Sequence, residues 1–182
     1  MEKRGAATIV AQGRKKKAQN AALFKKIEKK YGVPAGPLIA IWGMETGFGA
    51  VKGNQPVLSA IATLAYDCRR GEMFRGELMA ALKIIERGDL DPEDMIGSWA
   101  GELGQTQFLP THYDRHAIDY DGDGRRDLFR SIRDIVASSA NYIRSIGWHA
   151  GEPCESCSTE HPQENRLGLI VERVPRGDPR RA

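Results

Sequence analysis

Apolar residues recur at helical spacing along most of the chain. Leu23, Phe24, Ile27 and Tyr31 share one face of a segment from about residue 19 to 31, with lysines elsewhere and Gly32 placed to end it. A more apolar stretch starts at Pro37, which suits a first helical turn because its missing N–H costs nothing there. It runs to Glu45 and breaks into Gly47 and Gly49. Leu38, Ile41, Trp42 and Glu45 stand at i, i+3, i+4 and i+7, so the acid shares a face with three large apolar side chains. That spacing predicts a half-buried carboxylate with a raised pKa, as a general acid needs near neutral pH. A surface glutamate at a helix end is the alternative.

Val57, Leu58, Ile61, Leu64 and Ala65 form the stripe of a third helix opened by Asn54-Gln55-Pro56. A longer one is predicted over about 72–87 from Phe74, Leu78, Leu82 and Ile85, closed by Arg87 and Gly88. Asp91-Pro92-Glu93-Asp94 reads as a further helix start, with an N-cap, proline at N1 and acids in the first turn. Ser131 with Asp134 resembles a capping box for a helix striped by Ile132, Ile135, Val136, Ser139, Tyr142, Ile143 and Ile146 and stopped by Gly147. Residues 98–110 mix glycines, amides and two aromatics without sorting the polar ones onto one face, which suits a cleft lining. The pattern therefore predicts an all-α domain over residues 19–149. A basic, weakly structured segment over 1–18 precedes it, and an irregular tail over 150–182 follows, with one strand-like run at 167–174.

Composition changes this picture little. A chain of 182 residues, 41% hydrophobic and 28% charged, fits one soluble domain. The net charge of +3 hides an asymmetry: residues 1–30 carry ten Lys/Arg against two Glu, leaving seventeen against twenty-two acids in the rest. A basic segment of that kind could meet a polyanion, but it lacks interleaved aromatics and any nucleic-acid-binding signature, so no nucleic-acid partner is expected. No apolar run reaches the roughly 18 residues of a membrane span, and no signal-peptide core is visible. Three cysteines make no disulfide framework. His149, Cys154, Cys157 and His161 crowd into thirteen residues, and incidental cysteines are favoured over a zinc site or redox dithiol. Neither glycine pair, Gly47/Gly49 nor Gly101/Gly104, has the strand-before, helix-after setting of a phosphate loop.

The most specific local signal is Asp119-Tyr120-Asp121-Gly122-Asp123-Gly124-Arg125-Arg126-Asp127. Acids at positions 1, 3, 5 and 9 with glycine at 6 match an EF-hand calcium loop, in which alternating hard oxygens face one ion. Arg125 would offer its backbone carbonyl at position 7. Arg130 stands at position 12 in place of a bidentate glutamate, and Asp134 could close the shell instead. An Asp/Gly-rich turn without an ion is the alternative.

Several phrases, taken in order, resemble the bacterial lytic murein transglycosylase B family, peptidoglycan lytic transglycosylases. They are Ile41-Trp42-Gly43-Met44-Glu45-Thr46, Ala62-Thr63-Leu64-Ala65-Tyr66-Asp67, Ser98-Trp99-Ala100-Gly101, Gly104-Gln105-Thr106-Gln107-Phe108-Leu109-Pro110, Asp121-Gly122-Asp123-Gly124 and Ala140-Asn141-Tyr142. The resemblance implies a lysozyme-like helical fold and an enzyme whose single catalytic carboxylate is Glu45. That acid would cleave the β-1,4 bond between N-acetylmuramic acid and N-acetylglucosamine, first as acid and then as base, leaving a 1,6-anhydromuramoyl product. It further implies substrate contacts at Arg69, Arg70, Ser98, Trp99, Gln107 and Tyr142, and a structural calcium held by Asp119, Asp121, Asp123, Arg125, Asp127 and Asp134. It implies a monomer acting on glycan strands in the periplasm or cell envelope, truncated at both ends relative to that family. Glu102 stands where family members often carry alanine. A hydrolysing muramidase on the same scaffold and a non-catalytic peptidoglycan-binding module stay open beside this reading.

Overall fold

The computed structural model describes residues 4–67 and 69–150. Seven α-helices carry the fold among the described residues: α1 (Arg4–Gln19), α2 (Ala21–Tyr31), α3 (Ala35–Thr46), α4 (Val57–Tyr66), α5 (Gly71–Glu86), α6 (Pro110–His116) and α7 (Ile132–Ser145). Cys154, Cys157, His161, the strand-like run and nearly all of the expected tail lie outside the described residues.

Most of the expected apolar stripes face the core, but on α5 the buried line is rotated: Leu82 is exposed and Leu78 and Ile85 are half-buried, while Ala80, Ala81 and Ile84 join Phe74 inside, and Ile146 just past α7 is exposed. Phe24, Ile27 and Tyr31 of α2, Leu38, Ile39 and Trp42 of α3, Val57 and Ile61 of α4, Phe74 and Ile84 of α5, and Ile135, Val136 and Ile143 of α7 fill one core. Helix α5 packs between α4 and α6, while α2 packs on α7 and α1 on α3. Near the last described residues, the Trp148 indole N–H donates to the Gly32 carbonyl at 2.9 Å, beside the glycine that ends α2 in the left-handed region.

Residues 4–19 differ from expectation. The lysine-rich start is a sixteen-residue helix rather than a weakly structured arm. Its reason is a close crossing with α3 that sequence periodicity does not register. A Cβ on Gly13 would come within 2.9 Å of Ile39 Cγ2, and one on Gly43 within 2.9 Å of Ile9 Cγ2 and 2.8 Å of Phe48 Cζ. Two glycines thus let the helices approach until Ile9, Ile39 and Phe48 fill the gap. Lys16 adds its ammonium over the Trp42 ring, 5.3 Å from the centroid.

The helix start read at Asp91 is also different. Only a 3-10 turn forms, over Pro92–Asp94. The chain then enters a two-residue strand, β2 (Ile96–Gly97), antiparallel to β1 (Gln55–Pro56). Met95 is fully buried, and its carbonyl accepts the Val57 N–H at 2.9 Å, so core burial and the ribbon stop the helix from propagating. This small ribbon ties the segment after α3 to the start of residues 98–110.

Candidate active site and acidic loop

Helix α3 ends on Gly47, whose left-handed backbone (φ 58°) lets its N–H return to the carbonyls of Gly43 and Trp42. The face predicted to bury Glu45 divides at this end. Leu38 and Trp42 are buried and Ile41 is half-buried, but Glu45, one turn further on, is exposed. Its carboxyl is still only partly hydrated. Burial pushes its pKa up, and the neighbouring Glu102 carboxylate pushes it further the same way. The raised pKa expected from the sequence therefore holds, with an open rather than an enclosed acid as its setting.

Glu102 is held in place. The Ser98 hydroxyl donates to its Oε2 at 2.9 Å and accepts the backbone N–H groups of Ala100 and Glu102 at 3.2 and 3.1 Å. Trp99 between them is 73% exposed and makes an apolar plate on the surface. Further along, Leu103 and Phe108 exchange both backbone hydrogen bonds, at 2.8 and 2.9 Å, closing a tight turn. Gln107 sits in that turn with φ 53°, a conformation costly for a residue with a side chain, and its amide donates to the Gly104 carbonyl at 2.9 Å.

Residues 98–107 and Glu45 thus come together through Glu102. The other expected contacts have surroundings of their own. Arg69 is 85% exposed and paired with Asp67 at 2.8 Å, which pulls the Asp67 pKa down to about 2. Arg70 occupies the N-cap position of α5 and is exposed. Tyr142, on α7, lies against Phe108, His112 and His116 with ring centroids 5.4, 4.9 and 5.3 Å away. His112 and His116 had no part in the sequence reading; their i, i+4 spacing on α6 is the signal that could have found them.

The acidic loop folds around its own backbone. Asp119 accepts the N–H groups of Gly122, Asp123 and Gly124, and Asp123 accepts that of Arg125. Asp127 caps the next turn by accepting from Phe129 and Arg130 at 2.8 and 2.9 Å. Asp134 is fully buried, and it accepts the Tyr120 and Asp127 N–H groups at 2.8 and 2.9 Å. Of the expected ligand set, Asp119, Asp121 and Asp134 bring carboxylate oxygens within 4.8 Å of one another, and Asp123 and Asp127 lie outside that group. Burial, with the Asp121 charge adding, raises the Asp134 pKa. None of the ion pairs among the described residues reaches Asp134. Three converging carboxylates, one buried without a cation, are a donor set that a hard divalent ion fits.

With this geometry in place, comparison with known proteins is decisive. Residues 1–168 match the Transglycosylase SLT domain family. The chain belongs to that family. Over 123 residues it is 40% identical to the membrane-bound lytic murein transglycosylase B of Escherichia coli K12, an alignment covering 67% of this chain and 34% of that protein. Pseudomonas aeruginosa SltB3, solved in complex with NAG-NAM-pentapeptide, superposes with a TM-score of 0.76 at 48% identity, covering 80% of this chain and 39% of that one. The E. coli lytic transglycosylase Slt35, solved in complex with calcium, gives 0.74 at 33% identity, covering 84% and 48%. The expected helical, lysozyme-like fold is therefore the fold of this chain, which spans less than half the length of these three relatives. No helix of the described residues is long and apolar enough to cross a membrane.

Proposed function

We propose that this chain is a lytic transglycosylase acting on peptidoglycan glycan strands, with Glu45 as its proton-transfer residue. The observation that carries the reading is the environment of Glu45. It is an acid at the end of a buried helix, with its pKa raised by partial burial and by Glu102, a carboxylate that the Ser98 hydroxyl holds in place. A carboxyl with a raised pKa holds its proton to higher pH than a free one and can donate it to the glycosidic oxygen between N-acetylmuramic acid and N-acetylglucosamine. The resulting carboxylate can take the proton of the muramoyl 6-hydroxyl as that oxygen closes on C1, giving the 1,6-anhydro product. One residue acting twice removes the need for a second carboxylate at hydrolase spacing. Ser98 and Gln107 suit hydroxyl and acetamido groups, and the exposed Trp99 and the Tyr142 cluster suit the apolar faces of sugars. Arg69 and Arg70, solvent-facing, suit the acidic parts of the substrate.

Asp119, Asp121 and Asp134 would hold a structural calcium, and the family resemblance adds Asp123, Asp127 and the Arg125 carbonyl to its shell. The ion would neutralise the loop's converging carboxylates and has no step in the cleavage. The calcium in Slt35 supports this assignment. The glycan fragment in SltB3 supports the substrate class, and the membrane-bound E. coli relative supports a place at the cell envelope or periplasm, where the protein would work as a monomer.

Incubation of purified sacculi with the wild type and with Glu45→Gln tests the reading. Soluble muropeptides released by the wild type alone, with both proteins still sedimenting with sacculi, are expected. Equal inactivity with retained sedimentation would favour a binding module.

A further inference from the structure

Gln105 is neither the proposed acid nor part of the acidic loop, yet it is bonded to the elements that carry both. Its Oε1 accepts the Trp42 indole N–H at 2.7 Å, and its carbonyl accepts the Thr46 hydroxyl at 2.6 Å. These two partners flank Glu45 on α3. On the opposite side, its Nε2 donates to the Phe129 carbonyl at 2.7 Å and its backbone N–H to the Leu128 carbonyl at 2.9 Å. That stretch is itself held from the loop: Asp127 accepts the Phe129 and Arg130 N–H groups, and Asp134 accepts that of Asp127. Trp42 and Thr46 are each 1% exposed, while Gln105 and Phe129 are half-buried, so the clamp runs from the core toward the surface. The fit is close, since any Cβ on Gly49 would run into the Gln105 amide.

We propose that Gln105 is a positioning residue: it clamps the Glu45 end of α3 to the backbone of residues 128–129, and so lets the acidic loop set the aim of Glu45. The inference rests on the lytic transglycosylase reading for its effect on turnover, but not for the clamp itself. Its chemistry requires an amide. The side chain must accept from the indole N–H at one end and donate to a carbonyl at the other, which neither an apolar residue nor an ionised glutamate does. Because misplacing a reacting group by about an ångström can cost up to about a hundredfold in rate, the expected damage is to kcat rather than to substrate binding.

The experiment pairs kinetics on a soluble glycan strand with nitrogen-15 NMR of the Trp42 indole, assigned by Trp42→Phe, and a carbon-13 titration of Glu45. Gln105→Met is expected to lower kcat about tenfold or more with KM within about twofold, to move the indole N–H resonance, and to displace the Glu45 titration. Gln105→Glu should regain kcat relative to wild type as pH falls and its carboxyl gains the proton that lets it donate; this second variant keeps the test alive if Gln105→Met does not fold. Asp127→Ala should move the indole resonance in the wild-type background and leave it unmoved in Gln105→Met. An unchanged kcat and Glu45 titration in Gln105→Met, or an Asp127→Ala shift that persists without Gln105, would overturn the proposal. A wild type without glycan-cleaving activity would defeat the functional reading instead, while the indole and Glu45 spectra would still judge the clamp.

Discussion

The Ser98 hydroxyl donates to Glu102 Oε2 at 2.9 Å, and Glu102 in turn raises the pKa of Glu45 by its charge. A serine that family resemblance marks as a substrate contact therefore also fixes the second carboxylate of the site. The sign of its effect follows directly. Glu45 must be protonated to act as acid, so activity falls as pH rises through its raised pKa. Glu102→Gln removes the like charge, lowers that pKa and moves the alkaline limb of the pH–rate profile toward lower pH. A profile unmoved by Glu102→Gln would mean that burial alone sets the Glu45 pKa.

The acidic loop makes a metal-dependent prediction. Calcium added to chelator-treated protein is expected to raise the melting temperature, because an ion that binds only the folded state stabilises it in proportion to the logarithm of its concentration. Asp134→Asn and Asp119→Asn should each abolish most of that rise, whereas Asp123→Asn, outside the three converging carboxylates, should reduce it less. Differential scanning fluorimetry with and without calcium reads the difference, and equal loss at all three positions would rank Asp123 with the central ligands.

How the sequence related to the outcome is clearest from single residues. The stripes on α2, α3, α4 and α7 were legible because each is local, a repeat within one or two turns, whereas on α5 the larger Leu78, Leu82 and Ile85 drew the reading off the face that Ala80, Ala81 and Ile84 bury. Helix α1 was not. Its buried contact is made by Gly13, which hydropathy does not count, and its lysines suggested a solvated arm. The turn at Pro92–Asp94 carried a proper helix start that the burial of Met95 overrode. In the site, Glu45 and residues 98–110 could be singled out from composition and wording. Within that stretch the particular part of Gln105 could not be read, because its partners Trp42 and Phe129 lie 63 and 24 residues away. Glu45 itself was read as more buried than it is, since helical spacing says which face a residue shares but not where the neighbouring segment stops covering it.

The glycine crossing of α1 and α3 predicts a stability cost. Gly43→Val would force its side chain into Ile9 and Phe48, and overpacking of this kind costs about 1–3 kcal/mol. Gly76→Ala, with open space around its Cβ position on α5, should be neutral or stabilising. Chemical denaturation of the two variants measures the contrast, and similar stabilities would contradict a tight crossing.

Thr106 offers a prediction of opposite sign. Among the described residues its hydroxyl is the buried side-chain polar atom without a hydrogen-bond partner. Thr106→Val keeps the shape and removes the unpaired group, so it should leave stability equal or raise it by up to about 1 kcal/mol. A clear loss on denaturation would reveal a partner for that oxygen.

The central claim is that Glu45 serves as acid and then as base for an intramolecular ring closure. Mass spectrometry of the muropeptides released from purified peptidoglycan tests it most directly. Products ending in 1,6-anhydromuramic acid, formed by the wild type and absent with Glu45→Gln, are the predicted result; reducing muramic acid ends, or anhydro ends that persist without the Glu45 carboxyl, would contradict it.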